Sequence, residues 1–102
     1  MKRMIVRYRV KPEQAAQNEA LVRAVYEELQ STQPAGLRYA TFKLDDGVTF
    51  LHLVSNETES DQSPLQAIPA FQRFLAGIGD RCEEAPVSTT LHEVGSFRLF
   101  DA

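Results

Sequence analysis

The amino-acid sequence predicts an α+β fold, and three observations carry the prediction. Apolar residues alternate with a period of two over Met4 to Lys11, they recur at helical spacing through "EQAAQNEALVRAVYEELQ", and an Asp46-Gly47 pair separates two further strand-like runs. Read to its last residues, the chain gives the order strand, helix, strand, strand, helix, strand. That is the order of the split βαβ, ferredoxin-like arrangement, in which a four-stranded antiparallel sheet carries both helices on one face.

Each element has its own grounds. In the first strand Met4, Val6, Tyr8 and Val10 share one face, and Ile5, Arg7, Arg9 and Lys11 the other. Pro12 ends it and suits a first helical turn, after which Ala16, Ala20, Leu21, Ala24, Val25 and Leu29 are expected along one side of the first helix. "STQPAG" stops that helix. "LRYATFKL" and "VTFLHLVSN" are strands two and three, joined by the hairpin that Asp-Gly favours. Ser63 and Pro64 have the chemistry of a cap and first turn, opening a stripe of Leu65, Ile68, Phe71, Phe74, Leu75 and Ile78. Pro69 lies inside the stripe, so two helical pieces should meet near Ile68. The fourth strand is expected from about Val87, with an extended tail past Gly95.

A chain of 102 residues is expected to be one domain with one modest core, and 43% hydrophobic content with 25% charge argues against disorder. Eleven basic and 14 acidic residues give a net charge of −3 with no block of like charges, so neither nucleic acid nor an anionic membrane is an expected partner. No apolar run approaches the ~20 residues that cross a bilayer, and no targeting segment is read at the arginine-interrupted N-terminus. Cys82 is the single cysteine, which fits a reducing cytoplasm. Strand three is apolar on both sides, with Phe50 and Val54 on one and Leu51 and Leu53 on the other. Two helices cover one face only, so the other face is expected to meet a second copy of the chain, with the "GSFRLF" tail reaching across to bury Phe97 and Phe100.

The chemistry-bearing residues are sparse. His52 in strand three and His92 in strand four would lie about 10 Å apart on either side of strand one, too far to share a metal ion. An imidazole suits acid-base work at neutral pH, so both are candidate catalytic residues, with Tyr39 and Asn56 as further polar groups on the strands. Phe42, Phe50, Phe71, Phe74 and Phe97 read first as core. If the break at Pro69 opens a cavity, Leu65, Ile68, Phe71 and Phe74 would wall it, and Tyr8 would face it from the sheet. No phosphate loop, catalytic serine context or basic-aromatic array is present, and no flavin, nicotinamide, nucleotide or metal site is read, so no cofactor is expected.

"MIVRYRVKPEQ", "GLRYATFKLDDGVTFLHLVSNETES" and "IPAFQRFLAGI" resemble, in order and spacing, the antibiotic biosynthesis monooxygenase family of dimeric α+β barrel proteins, over residues 4 to 95. The resemblance implies a homodimer, a pocket between helices and sheet beside the helix break, and a cofactor-independent monooxygenase acting on a quinol, phenolic or polyketide-like aromatic. The chain also departs from the family. A tryptophan common at the end of strand three, in a Glu-x-Trp-Glu-Ser pattern, would fall around Val54 to Asn56, and this chain has no tryptophan. The Trp and His of heme-degrading relatives would fall near Leu65 and Leu75, so heme degradation is not expected. The competing expectation is a non-catalytic small-molecule-binding or stress-associated dimer of the same fold.

Overall fold

The alternating runs form one antiparallel sheet in the computed structural model, which describes residues 2–57 and 63–99. Strands β1 (Lys2–Val10), β2 (Leu37–Lys43), β3 (Thr49–Asn56) and β4 (Cys82–Thr90) lie in the order β2-β3-β1-β4. This is the ferredoxin-like arrangement that the element order predicts. Helices α1 (Ala15–Thr32) and α2 (Pro69–Leu75) pack on one face of the sheet, and a short α3 (Ile78–Arg81) leads into β4. The core lies between these layers: Tyr8, Val10 and Phe50 from the sheet meet Val22 and Val25 of α1 and Ala70 and Phe74 of α2.

Local chemistry accounts for the joints. Pro12 opens a 3-10 turn (Pro12–Gln14) ahead of α1. In the β2–β3 hairpin the Asp46 carboxylate accepts from the backbone N–H groups of Val48 and Thr49 (2.9 and 2.8 Å) and from the Thr49 hydroxyl (2.5 Å), while Gly47 takes φ +77°. The Ser63 hydroxyl accepts from the Leu65 N–H at 3.2 Å and caps a 3-10 turn (Pro64–Ala67). Ile68, constrained by the proline after it, is extended, and Pro69 then occupies the start of α2. The expected break near Ile68 is therefore a second helix start. Glu28 of α1 ties the two helices together there, its Oε1 accepting from the Ala70 N–H at 3.3 Å. Gly77 takes φ +77° after α2 and turns the chain back, so that Arg81 folds beneath that helix.

Four expectations are corrected. On α1, Val25 is buried and Leu21, Ala24 and Leu29 pack against the core as expected, but Asn18 and Val22 take the most buried places and Ala16 and Ala20 are exposed. The helix is rotated because Asn18 finds polar partners inside. β4 begins at Cys82, ahead of Val87, since it is an edge strand in which Pro86 leaves no ladder bond unmade on a second side. The advance from Arg7 to Val10 on β1 faces a longer one from Val87 to Cys82 on β4, and two register shifts absorb the excess. His92 lies beyond the end of β4 and is exposed. Phe42 and Phe97, read as core, are 47% and 81% exposed, the first on the sheet face away from the helices and the second in the segment after β4. Phe100 lies outside the described residues. No helix among the described residues is long and apolar enough to cross a membrane.

Candidate functional site

Strand register puts a histidine under the helices with a tyrosine on each side. His52 of β3 pairs with Val6 of β1 and Thr41 of β2, and the side-chain period of two aims it at the helix layer together with Phe50. Tyr8 stands opposite Phe50, and Tyr39 opposite Val54, so each is a diagonal neighbour of His52. The Tyr8 hydroxyl lies 2.8 Å from Nε2 of His52, and the Tyr39 hydroxyl lies 2.5 Å from Nδ1. The Thr41 hydroxyl is a longer partner of Nδ1 at 3.2 Å, and it also bonds the Tyr26 hydroxyl of α1 at 2.7 Å.

The chain of contacts continues away from the imidazole. Nδ2 of Asn18 donates to the Tyr8 hydroxyl at 2.9 Å, and Nε of Arg81 donates to Oδ1 of Asn18 at 3.2 Å. The rest of the guanidinium donates to the carbonyls of Phe74 (2.6 Å) and Ala76 (3.1 Å), at the C-terminal end of α2 where the helix leaves acceptors. Arg81 is 7% exposed and also lies 5.4 Å from the centre of the Phe74 ring. Among the described residues no carboxylate is within ion-pair distance of it.

Aromatic rings close the cage. Phe74 stands 5.3 Å from His52, Phe71 meets Tyr39 edge-on at 6.5 Å, and Tyr8 stacks on Phe50 at 5.6 Å. Burial governs the proton equilibria. It lowers the His52 imidazole to about 4, so the ring is neutral at pH 7, and it pushes the Tyr26 phenol up to about 12. Tyr8 and Tyr39 are raised further, again by burial first. The network therefore holds four neutral ring groups and one cation.

The structure thus brings Tyr8, Tyr39 and His52 together by hydrogen bonds and lines them with Phe71 and Phe74. Leu65 and Ile68 belong to the same buried cluster. Asn56 is buried at the end of β3, four residues from His52 and on the same strand face. His92, in the segment after β4, is exposed and is not part of this cluster. Asn18, Tyr26, Thr41 and Arg81 were not expected. Asn18 shares helical spacing with Val22, Val25 and Leu29, but an amide at that place reads as solvent-facing until its partners are known. Arg81 carries no such mark. Among the described residues no group of three or more metal-ligating side chains forms. An open cleft of about 190 Å³ adjoins the cage, between the end of α1 and β2, with Tyr26 and Tyr39 among its walls.

The class that this fold and cage define is a ferredoxin-like α+β protein with a buried imidazole on the helix side of its sheet. No protein-family model and no curated protein matches the chain. Solved structures do. One described as an antibiotic biosynthesis monooxygenase superposes with a TM-score of 0.75 at 19% identity, covering 93% of this chain and 100% of its own. A candidate antibiotic biosynthesis monooxygenase from Nitrosomonas europaea gives 0.76 at 18%, with 93% and 100% covered. A Mycobacterium tuberculosis protein gives 0.73 at 17%, with 93% and 96% covered. The chain has the fold of proteins so described, and the resemblance read from its sequence holds at that level.

Proposed function

We propose that the protein is a cofactor-independent monooxygenase of a quinol, phenolic or polyketide-like aromatic, bound on the helix side of the sheet. The observation that carries this reading is the cage itself, a neutral imidazole held between two tyrosine hydroxyls beside the rings of Phe71 and Phe74. Such a site suits an electron-rich ring with one oxygen to anchor. Hydrogen-bond donors at that oxygen lower the energy of the phenolate, and the phenolate itself supplies electrons to dioxygen. For an anthrone-type substrate the balance closes without another reductant. The ring methylene becomes a carbonyl, one oxygen atom enters the product, and the other leaves as water with the two methylene hydrogens. In this reading Tyr39 and His52 form the polar end, Tyr8 orients His52, and Phe71 and Phe74 form the wall over Leu65 and Ile68. Asn56 and His92 are assigned no step.

The active form in this proposal is a homodimer joined sheet to sheet, as an α+β barrel in a reducing cytoplasm. The sheet face away from the helices carries Ile5, Phe42, Leu51, Leu53 and Val87, and Phe97 and Leu99 of the tail stand 81% and 62% exposed. A non-catalytic small-molecule-binding or stress-associated dimer is the second reading, favoured by the missing tryptophan and by the two ring nitrogens of His52, both already hydrogen-bonded inside the core. Oxygen uptake separates the two. The purified protein should consume oxygen with anthrone-type phenols or reduced quinones, whereas thermal stabilisation by the same compounds without uptake would leave the binder.

A further inference from the structure

We propose that Oε2 of Glu28 anchors the ligand by accepting a hydrogen bond from a neutral aromatic hydroxyl, at the junction where Pro69 starts α2. The anchor deepens the proposed function and rests on it only in taking the ligand to be a hydroxyl-bearing ring.

Glu28 performs a task that uses half of its carboxylate. The Ala70 N–H is one of the first-turn donors that a helix leaves without a partner, and Ile68, at the cap position, offers no side-chain acceptor. Glu28 supplies one from the neighbouring helix, its Oε1 accepting that N–H at 3.3 Å from 42 residues away in sequence. The second oxygen, Oε2, has no such use. It is the one buried side-chain oxygen or nitrogen among the described residues that has no hydrogen-bond partner. No Lys or Arg among the described residues forms an ion pair with Glu28. A bare buried carboxylate oxygen is costly, and capping a single N–H does not require it.

The surroundings decide what Oε2 can take. Leu65, Ile68 and Ala70, at 3, 6 and 2% exposure, make the inner side of the junction apolar, while Ala67 and Pro69 are exposed on its outer side. Glu28 itself is only partly buried. A ring resting on Ala67 and Pro69 therefore directs a hydroxyl inward to Oε2. Elsewhere in the core the acceptors are occupied, since His52 is bonded at both ring nitrogens and Oδ1 of Asn18 receives Arg81. A carboxylate only accepts, so it bonds a neutral hydroxyl strongly and repels a phenolate. Among the proposed substrates this favours a ring with two oxygens, such as a quinol, because one is held as a hydroxyl and the other is left for the chemistry.

The test follows the fluorescence of 2-naphthol, its methyl ether 2-methoxynaphthalene and the anion 2-naphthoate as each is titrated with the full chain at pH 7. The wild type should hold 2-naphthol roughly ten- to a hundredfold more tightly than the ether, and should not bind the naphthoate. In Glu28→Gln the amide oxygen still caps Ala70 while its NH2 donates where Oε2 accepted, so the naphthol advantage should vanish and naphthoate should bind. Ala67→Trp, at an exposed position, should block 2-naphthol with the fold unchanged. Equal affinity of the wild type for naphthol and ether would mean that Oε2 meets water only, and would overturn the proposal. So would a naphthol advantage that survives in Glu28→Gln, a parallel change of all three affinities in that variant, or unaltered binding in Ala67→Trp. None of these readouts requires turnover. A naphthol advantage abolished by Glu28→Gln, without oxygen uptake on anthrone-type phenols, would defeat the proposed monooxygenase and leave the anchor standing; uptake without that advantage would do the reverse.

Discussion

Acid attacks this fold at one imidazole. His52 is 3% exposed, bonded on both ring nitrogens and packed against Phe74, and its folded-state pKa of about 4 compares with an ordinary value of 6.5. Between these values the unfolded chain binds the proton and the folded one does not, so stability increases with pH across the window. The contribution is complete above pH 6.5 and is lost as the pH falls toward 4. Its size follows from the separation of the two values and is about 3 kcal/mol, a large part of the 5–15 kcal/mol typical of a domain. Asp46, held at about 2 chiefly by the Thr49 hydroxyl, and Glu19, lowered chiefly by its bond to Lys43, lose their stabilisation in a lower range. Urea titrations from pH 7.5 to 4.5 on the wild type and on His52→Gln therefore isolate the imidazole. The wild type should lose most of the 3 kcal/mol by pH 4.5, and the variant should be nearly flat. Parallel curves, or an NMR titration of His52 near 6.5, would refute the argument.

Removing the buried cation should be costly for another reason. Arg81→Met strands the carbonyls of Phe74 and Ala76 and Oδ1 of Asn18, for a loss of about 3 kcal/mol in urea, and Arg81→Lys should recover less than half because an ammonium cannot reproduce the fork. Leu65→Trp should lower stability by ~1–3 kcal/mol if the helix junction is filled core, whereas Ala67→Trp, at an exposed position, should change it by less than about 0.5 kcal/mol. A fully stable Leu65→Trp variant would reveal empty space beside Pro69. Deleting residues 96 to 102 should shift dilute sedimentation profiles toward monomer, and an unchanged dimer would remove the tail from the interface.

What the sequence made legible was the punctuation. Period-two alternation, Asp46-Gly47, Ser63-Pro64 and Pro69 act over a few residues, and each produced the local structure its chemistry requires. What stayed hidden depended on partners distant in sequence. Asn18 lies in a helix whose polar residues read as solvent-facing, and only its bonds to Tyr8 and Arg81, ten and 63 residues away, explain its burial. That burial rotates α1 and exposes Ala16 and Ala20. β4 begins early because Glu83, Glu84 and Pro86, poor strand formers, are tolerated on an edge paired on one side. Of the candidate site, Tyr8, Tyr39 and His52 could be named from residue type and strand position. Their hydrogen-bonded union could not, since it depends on the register of three strands.

The central claim is that the cage around His52 supports oxygenation through Tyr39. An oxygen electrode reading of the wild type and Tyr39→Phe with an anthrone-type phenol tests it most directly. The account predicts one dioxygen consumed per anthrone converted, and a rate at least tenfold lower in the variant with the fold unchanged. Equal rates in the two proteins, or no uptake above the spontaneous reaction in the wild type, would contradict it.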